Sequence, residues 1–179
     1  MPLFVTVSLA IILTIPTFHL LAITGVIATI KVGTFPNGIG INSATNRIYV
    51  ANYGNNSVSV IDGVANTIVN TITVGRLPIG IAVNTTTNHI YVTNLIDNTV
   101  SIIDGATNTV VGVPILVGHG PQAVGVNVAS NRIYTANTRD NTVSVIDGAT
   151  NTVISTVIVG SLPIGIGVNS ITNRTYVAK

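Results

Sequence analysis

The chain has 179 residues, 47% of them hydrophobic and only 7% charged, with a formal net charge of +2. A chain this apolar has to bury its side chains, which excludes disorder, and its seven basic residues are scattered rather than gathered into the basic stripe that a nucleic acid needs. There is no cysteine, which removes disulfides, thiolate metal sites and iron–sulfur clusters, and the acids are five aspartates with no glutamate.

The first element is an uncharged run from Pro2 to Ile30. Residues 1–25 read as a signal or membrane-anchor segment, with Met1 to about Ile23 expected to be helical and to pack poorly or not at all on the remainder of the chain. A basic start is missing, Pro16 interrupts the run, and no small-x-small cleavage site precedes Gly25, so a cleaved signal and an uncleaved anchor stand side by side. A misplaced start is the third reading. Export is favoured, because no later part of the chain needs an apolar segment of this length. The protein is therefore expected to be secreted or at the cell surface, touching membrane only through this segment.

From Val26 to Lys179 the sequence repeats. Proline recurs at Pro36, Pro78, Pro121 and Pro163, at spacings of 42, 43 and 42 residues, and Tyr49, Tyr91, Tyr134 and Tyr176 keep the same register. Each full unit carries an Asp-Gly pair (Asp62-Gly63, Asp104-Gly105, Asp147-Gly148) and closes on Val-Gly. Within a unit, apolar and polar residues alternate in short runs separated by Gly, Asn and Asp, which predicts strands a (Gly38 to Asn42), b (Arg47 to Asn52), c (Ser57 to Asp62) and d (Thr67 to Val74). Four short strands per unit of about 42 residues define an all-β fold of β-propeller blades. Strand a is rich in glycine and suits the innermost position, where backbones approach closely. Three full units, a lone strand d (Val26 to Val32) and a lone a and b pair (Ile164 to Ala178) make a partial propeller of about three blades plus flanking strands.

Tyr91-Val92-Thr93-Asn94, within the unit running from Pro78-Ile79-Gly80 to Thr109-Val110, resembles the motif that names the YVTN β-propeller repeat family. The resemblance extends from about Val26 to Lys179. It implies a surface or secreted propeller, commonly of seven blades; this chain has fewer, and its last unit ends on Lys179 where the others have asparagine.

The recurring polar residues fit turn chemistry. Asp62, Asp104 and Asp147 precede Gly in the c-to-d turn, and strand pairing sets Arg47 against Asp62, His89 against Asp104 and Arg132 against Asp147, each pair contributing roughly 0.2 to 1 kcal/mol. Asp97-Asn98 and Asp140-Asn141 could contact calcium, but a hard cation takes six or more oxygens and the turn reading is favoured. His19, His89 and His119 share no repeat position, and no nucleophile elbow or phosphate loop is present, so no catalytic residue, cofactor or metal ligand is assigned. Sequons stand at Asn55, Asn84 and Asn173.

The places that vary between units are the b-to-c hairpins and d-to-a loops, which emerge at one end of the ring. They carry Tyr53, Arg76, Leu95, Ile96, His119 and Arg139, the candidate face for a protein or glycan partner; a solvated loop surface without a partner is the competing reading. The expectation is a non-catalytic secreted or cell-surface scaffold. The alternative is a fragment of an extracellular propeller enzyme, of lyase, lactonase or reductase type, with its catalytic residues in missing blades. With no strand c recognisable at either end, the ring is expected not to close: an open arc, self-association through edge strands, or aggregation should result.

Overall fold

The computed structural model describes residues 7–9, 26 and 28–179. Its architecture is that of partial β-propeller blades, built almost wholly from antiparallel hairpins whose turns share one chemistry. Among the described residues, thirteen other than glycine have positive φ, and ten of them are asparagines, one closing each hairpin turn. In the first full unit these are Asn46 (φ 51°), Asn56 (φ 52°) and Asn66 (φ 55°). Asparagine tolerates the left-handed conformation better than most side chains, which accounts for the abundance of Asn in the repeat.

The first full blade has strand order β3 (Pro36–Asn42), β4 (Arg47–Asn52), β5 (Ser57–Asp62) and β6 (Thr67–Thr73). The second comprises β7 (Pro78–Asn84), β8 (His89–Asn94), β9 (Thr99–Asp104), β10 (Thr109–Val110) and β11 (Ile115–Leu116). In the third, β12 (Pro121–Asn127), β13 (Arg132–Asn137), β14 (Thr142–Asp147) and β15 (Thr152–Ile158) follow in order. Strand a starts at Pro36 rather than Gly38, because a bulge between Pro36 and Ile39 lets the proline, which has no N–H, sit at the strand's start. The second blade's outer strand is split into β10 and β11, which both pair with β9. Its unit has one residue more than the first, and Gly112 (φ 62°) takes up the excess in the break.

Period-two alternation makes each blade two-faced. Tyr49, Val58, Val60 and Ile72 of the first blade meet Ile90, Val92 and Ile103 of the second in one buried cluster. Tyr91, Val100, Ile102 and Ile115 meet Val124, Ile133 and Ile146 of the third in another. Inner strands β3, β7 and β12 stand side by side at close range: a Cβ at Gly38 would fall on the carbonyl oxygen of Ile79, so only glycine fits there. At the end of the propeller holding the a-to-b turns an asparagine ladder crosses the blades, Asn42 Nδ2 donating to Asn88 Oδ1 (2.7 Å), Asn84 to Asn131 (2.8 Å) and Asn127 to Asn173 (2.8 Å). Asn84 is wholly buried in this ladder, which removes its sequon from the folded surface.

Two-stranded sheets flank the full blades: β1 (Val7–Leu9) with β2 (Ala28–Ile30), and β16 (Gly165–Asn169) with β17 (Arg174–Ala178). Among the described residues no strand pairing joins the first sheet to the last, so these blades form an open arc. The helix expected over Met1 to Ile23 is corrected at Val7–Leu9, which is a strand antiparallel to β2. The reason lies in β2, whose edge groups require a strand partner, and in the sequence, since the repeat position that should supply one holds Pro16, without an N–H to donate. The rest of the 1–25 segment lies outside the described residues. No helix among the described residues is long and apolar enough to cross a membrane, which leaves crossing by strands unaddressed.

Candidate functional site

At the end of the propeller opposite the asparagine ladder, each d-to-a loop is hydrogen-bonded to the b-to-c hairpin of the blade it enters. Tyr53 N–H donates to Phe35 O (3.1 Å), Leu95 N–H to Leu77 O (3.1 Å) and Thr138 N–H to Gly120 O (3.1 Å). The same loop is tied back to the preceding blade, where the hairpin asparagine accepts its N–H: Leu77 to Asn56 (2.9 Å), Gly120 to Asn98 (2.9 Å) and Leu162 to Asn141 (2.8 Å). The loop end is therefore a fixed surface made by neighbouring blades together.

A second repeated contact uses different chemistry in each blade. Thr34 donates through its N–H and its hydroxyl (2.7 Å) to Asn55 Oδ1. Arg76 donates from its backbone (2.7 Å) and Nε (2.6 Å) to the Asp97 carboxylate. His119 contacts Asp140 through its N–H (2.7 Å) and Nδ1 (2.9 Å). The backbone N–H, then the side-chain bond, holds each carboxyl below its ordinary pKa.

The third repeated feature is backbone strain. The residue before each blade's first proline has positive φ: Phe35 (49°), Leu77 (54°), Gly120 (65°) and Leu162 (53°). Glycine adopts this conformation freely, whereas a bulky L-residue loses about 1–2 kcal/mol there. Phe35 and Leu162 nevertheless present their side chains to solvent, 61% and 62% exposed. Phe35 and Tyr53, with Pro36 and Asn37, line an open depression of about 390 Å³ on the first full blade.

The sequence-predicted face residues divide on this geometry. Tyr53 lines the depression, Ile96 is exposed and Leu95 half-buried on the second hairpin. Arg76 and His119 are engaged by Asp97 and Asp140 as loop clasps. Arg139 lies across Gly120, where a Cβ would sit 2.8 Å from its Cγ, so its stem occupies the space that a Phe or Leu side chain takes in the other blades. Phe35 and Leu162 were missed. Their signal is the unit-to-unit exchange of Phe, Leu and Gly at one position, which marks a backbone site of positive φ.

The five aspartates all hold structural contacts. Arg47 pairs with Asp62 (2.6 Å) and Arg132 with Asp147 (3.0 Å), as strand pairing requires. His89 faces Asp104 in the register, but its Nδ1 is buried without a hydrogen-bond partner and its ring packs edge-on against Tyr91, while Asp104 accepts the Ala106 N–H (2.7 Å). That cross-strand pair is absent because the short imidazole turns to the aromatic ring rather than reaching the turn. No group of three or more metal-ligating His or acidic residues occurs among the described residues.

No family profile and no curated protein sequence matches the chain. In fold it is similar to a functionally unknown protein from Desulfotomaculum acetoxidans, with TM-score 0.76 and 19% identity over 86% of this chain and 52% of that one. It is also similar to Kuenenia stuttgartiensis hydrazine synthase, with TM-score 0.71 and 20% identity over 77% of this chain and 41% of the other. The chain thus spans about half, or less, of the structures it resembles.

Proposed function

We propose that the protein is a YVTN-type propeller scaffold without catalytic groups of its own, exported to the cell surface or medium, that binds a protein or glycan through its loop end. The observation that carries this reading is the strained, exposed apolar side chain before the proline at two of the four repeat positions, Phe35 and Leu162. Folding gains nothing from Phe35 or Leu162 in left-handed backbone, since Gly120 serves the same turn without strain. A destabilising residue retained on a rigid surface is the pattern of a binding site. The Tyr91-Val92-Thr93-Asn94 motif supports the family reading, and the uncharged run from Pro2 to Ile30 supports export. The structural engagement of all five aspartates favours the scaffold over an acid–base enzyme.

The test uses an array of immobilised oligosaccharides beside a panel of aromatic-rich peptides, probed with the full chain and with Phe35→Gly and Tyr53→Ala. A specific signal abolished in both variants, with the melting temperature of Phe35→Gly unchanged or raised, is expected. Undiminished binding by both variants would overturn the assignment of the face.

A further inference from the structure

We propose that the cleft between the second and third full blades binds a single neutral sugar residue, a pyranose with a hydroxymethyl arm. Three departures from the repeat meet at this one interface, and none of them belongs to the face of Phe35 and Tyr53. The first is Thr135, which stands where the other two full blades have Val50 and Val92 and is buried as they are. Its Oγ1 has no hydrogen-bond partner among the described residues. A hydroxyl buried in this way costs stability that valine at the same place does not lose, so the threonine serves something other than packing.

The other two departures lie on the facing wall. The extra residue of the second unit splits its outer strand into β10 and β11. In the first blade Asn70, eight residues after Asp62, straps the outer side of the interface by donating from Nδ2 to Asn108 O (3.3 Å). Eight residues after Asp104 stands Gly112, which has no side chain to repeat that strap, and a Cβ there would meet nothing within 4 Å. The interface accordingly opens into a cleft of about 470 Å³, walled by Leu116 of the second blade and by Asp140, Ser144, Val153 and Thr156 of the third.

Its polar groups form a row that runs inward. Strand pairing sets Thr156 opposite Ser144 and Ser144 opposite Thr135, so three hydroxyls cross one face of the blade, from the exposed outer strand to the buried β13. Ser144 Oγ accepts from Asn137 Nδ2 (2.9 Å) and from the Gly118 N–H (3.4 Å), which leaves its own proton to donate. Side chains opposed in this way stand about 5 Å apart, a span that one oxygen bridges with a hydrogen bond to each side. The hydroxyl of a hydroxymethyl arm placed there accepts from Ser144 and donates to Thr135 Oγ1, the atom that lacks a partner. At the mouth, Thr156 offers a donor and the Asp140 carboxylate, fixed by its clasp with His119, an acceptor for hydroxyls on the ring. Leu116, 72% exposed, and Val153 give the apolar surface that the C–H face of a sugar ring covers. Among the described residues that line the cleft one is charged, and that one is a carboxylate, which favours a neutral ligand over an anion.

The test titrates the nitrogen-15-labelled full chain with D-glucose, D-mannose and D-galactose, each beside the pentopyranose that lacks its hydroxymethyl arm, and follows the amide resonances. At least one hexose is expected to shift Gly118, Ser144 and Thr156 along a saturable curve while the equivalent Gly75 and Ser101 stay in place; a panel that moves none of the three overturns the proposal. The matching pentose should bind about tenfold more weakly, the loss of one well-made hydrogen bond. Thr135→Val carries the residue of the other blades, so it should melt at or above the wild-type temperature and bind hexose and pentose alike. A hexose that binds Thr135→Val as tightly as the wild type overturns the site. Phe35→Gly, on the loop-end face, should leave the titration unchanged, so this site and the reading of that face fail separately. Loss of the sugar response in Phe35→Gly would place the ligand on that face and defeat the cleft.

Discussion

Tyr91 and Tyr176 hold the same position in the repeat, one wholly buried between two blades and the other 58% exposed on the last half-blade. Their local sequences, Ile-Tyr-Val and Thr-Tyr-Val, are close, and both lie in strand b. The difference is the neighbour. A propeller blade cannot bury its faces on itself, so the stability of a residue here is set by the unit beside it. Tyr134 shows the intermediate case, half-buried against a neighbour that has only two strands.

The comparison breaks most visibly on tyrosine deletion. Tyr91→Ala should cost about 3–5 kcal/mol, and Tyr176→Ala less than about 0.5 kcal/mol, by denaturant unfolding. Equal losses would mean that the neighbouring blade does not determine burial. Next in size is the inner ring, where Gly38→Ala puts a methyl on a backbone oxygen that cannot move aside and should cost about 2–3 kcal/mol. Gly112→Ala meets no atom within 4 Å and should cost only about 1 kcal/mol, from its positive φ. At the loop end Leu162→Gly should raise stability by up to about 1 kcal/mol, the strain relieved exceeding the entropy of the added glycine.

The smallest effect is on acid stability. Asp62 and Asp147 are held below the ordinary carboxylate value of 3.8, first by turn N–H groups and further by Arg47 and Arg132. A lowered pKa in the folded chain contributes stability that is full above 3.8 and is lost as pH falls through the folded value. Asp62→Asn should therefore flatten the acid limb of a stability–pH curve while leaving its slope above pH 5 unchanged, as followed by thermal melts.

The blade was legible in the sequence because period-two alternation, Asn and Asp-Gly turns and the 42-residue register all point to the same four strands, and β4, β5 and their equivalents stand where that pattern sets them. The strand at Val7–Leu9 was not. The alternation of Thr6-Val7-Ser8-Leu9 is too short to stand out inside an uncharged apolar run, and it lies out of step with the repeat period because the chain between it and β2 is longer than in a full blade. Of the loop end, the variable residues could be read but their roles could not. Arg76 and His119 read as free face residues in sequence and are clasped by aspartates 21 residues away, whereas Phe35 and Leu162, to which the sequence assigns no role, are exposed.

The central claim, that a repeat is buried by its neighbour, is tested most directly by hydrogen–deuterium exchange across equivalent strands. The amides of β8, which is paired on both sides between buried faces, should be protected nearly to the limit of global unfolding, and those of β17, which is paired only with β16 among the described residues, should exchange much faster. Protection at Arg174–Ala178 equal to that at His89–Asn94 would contradict the account.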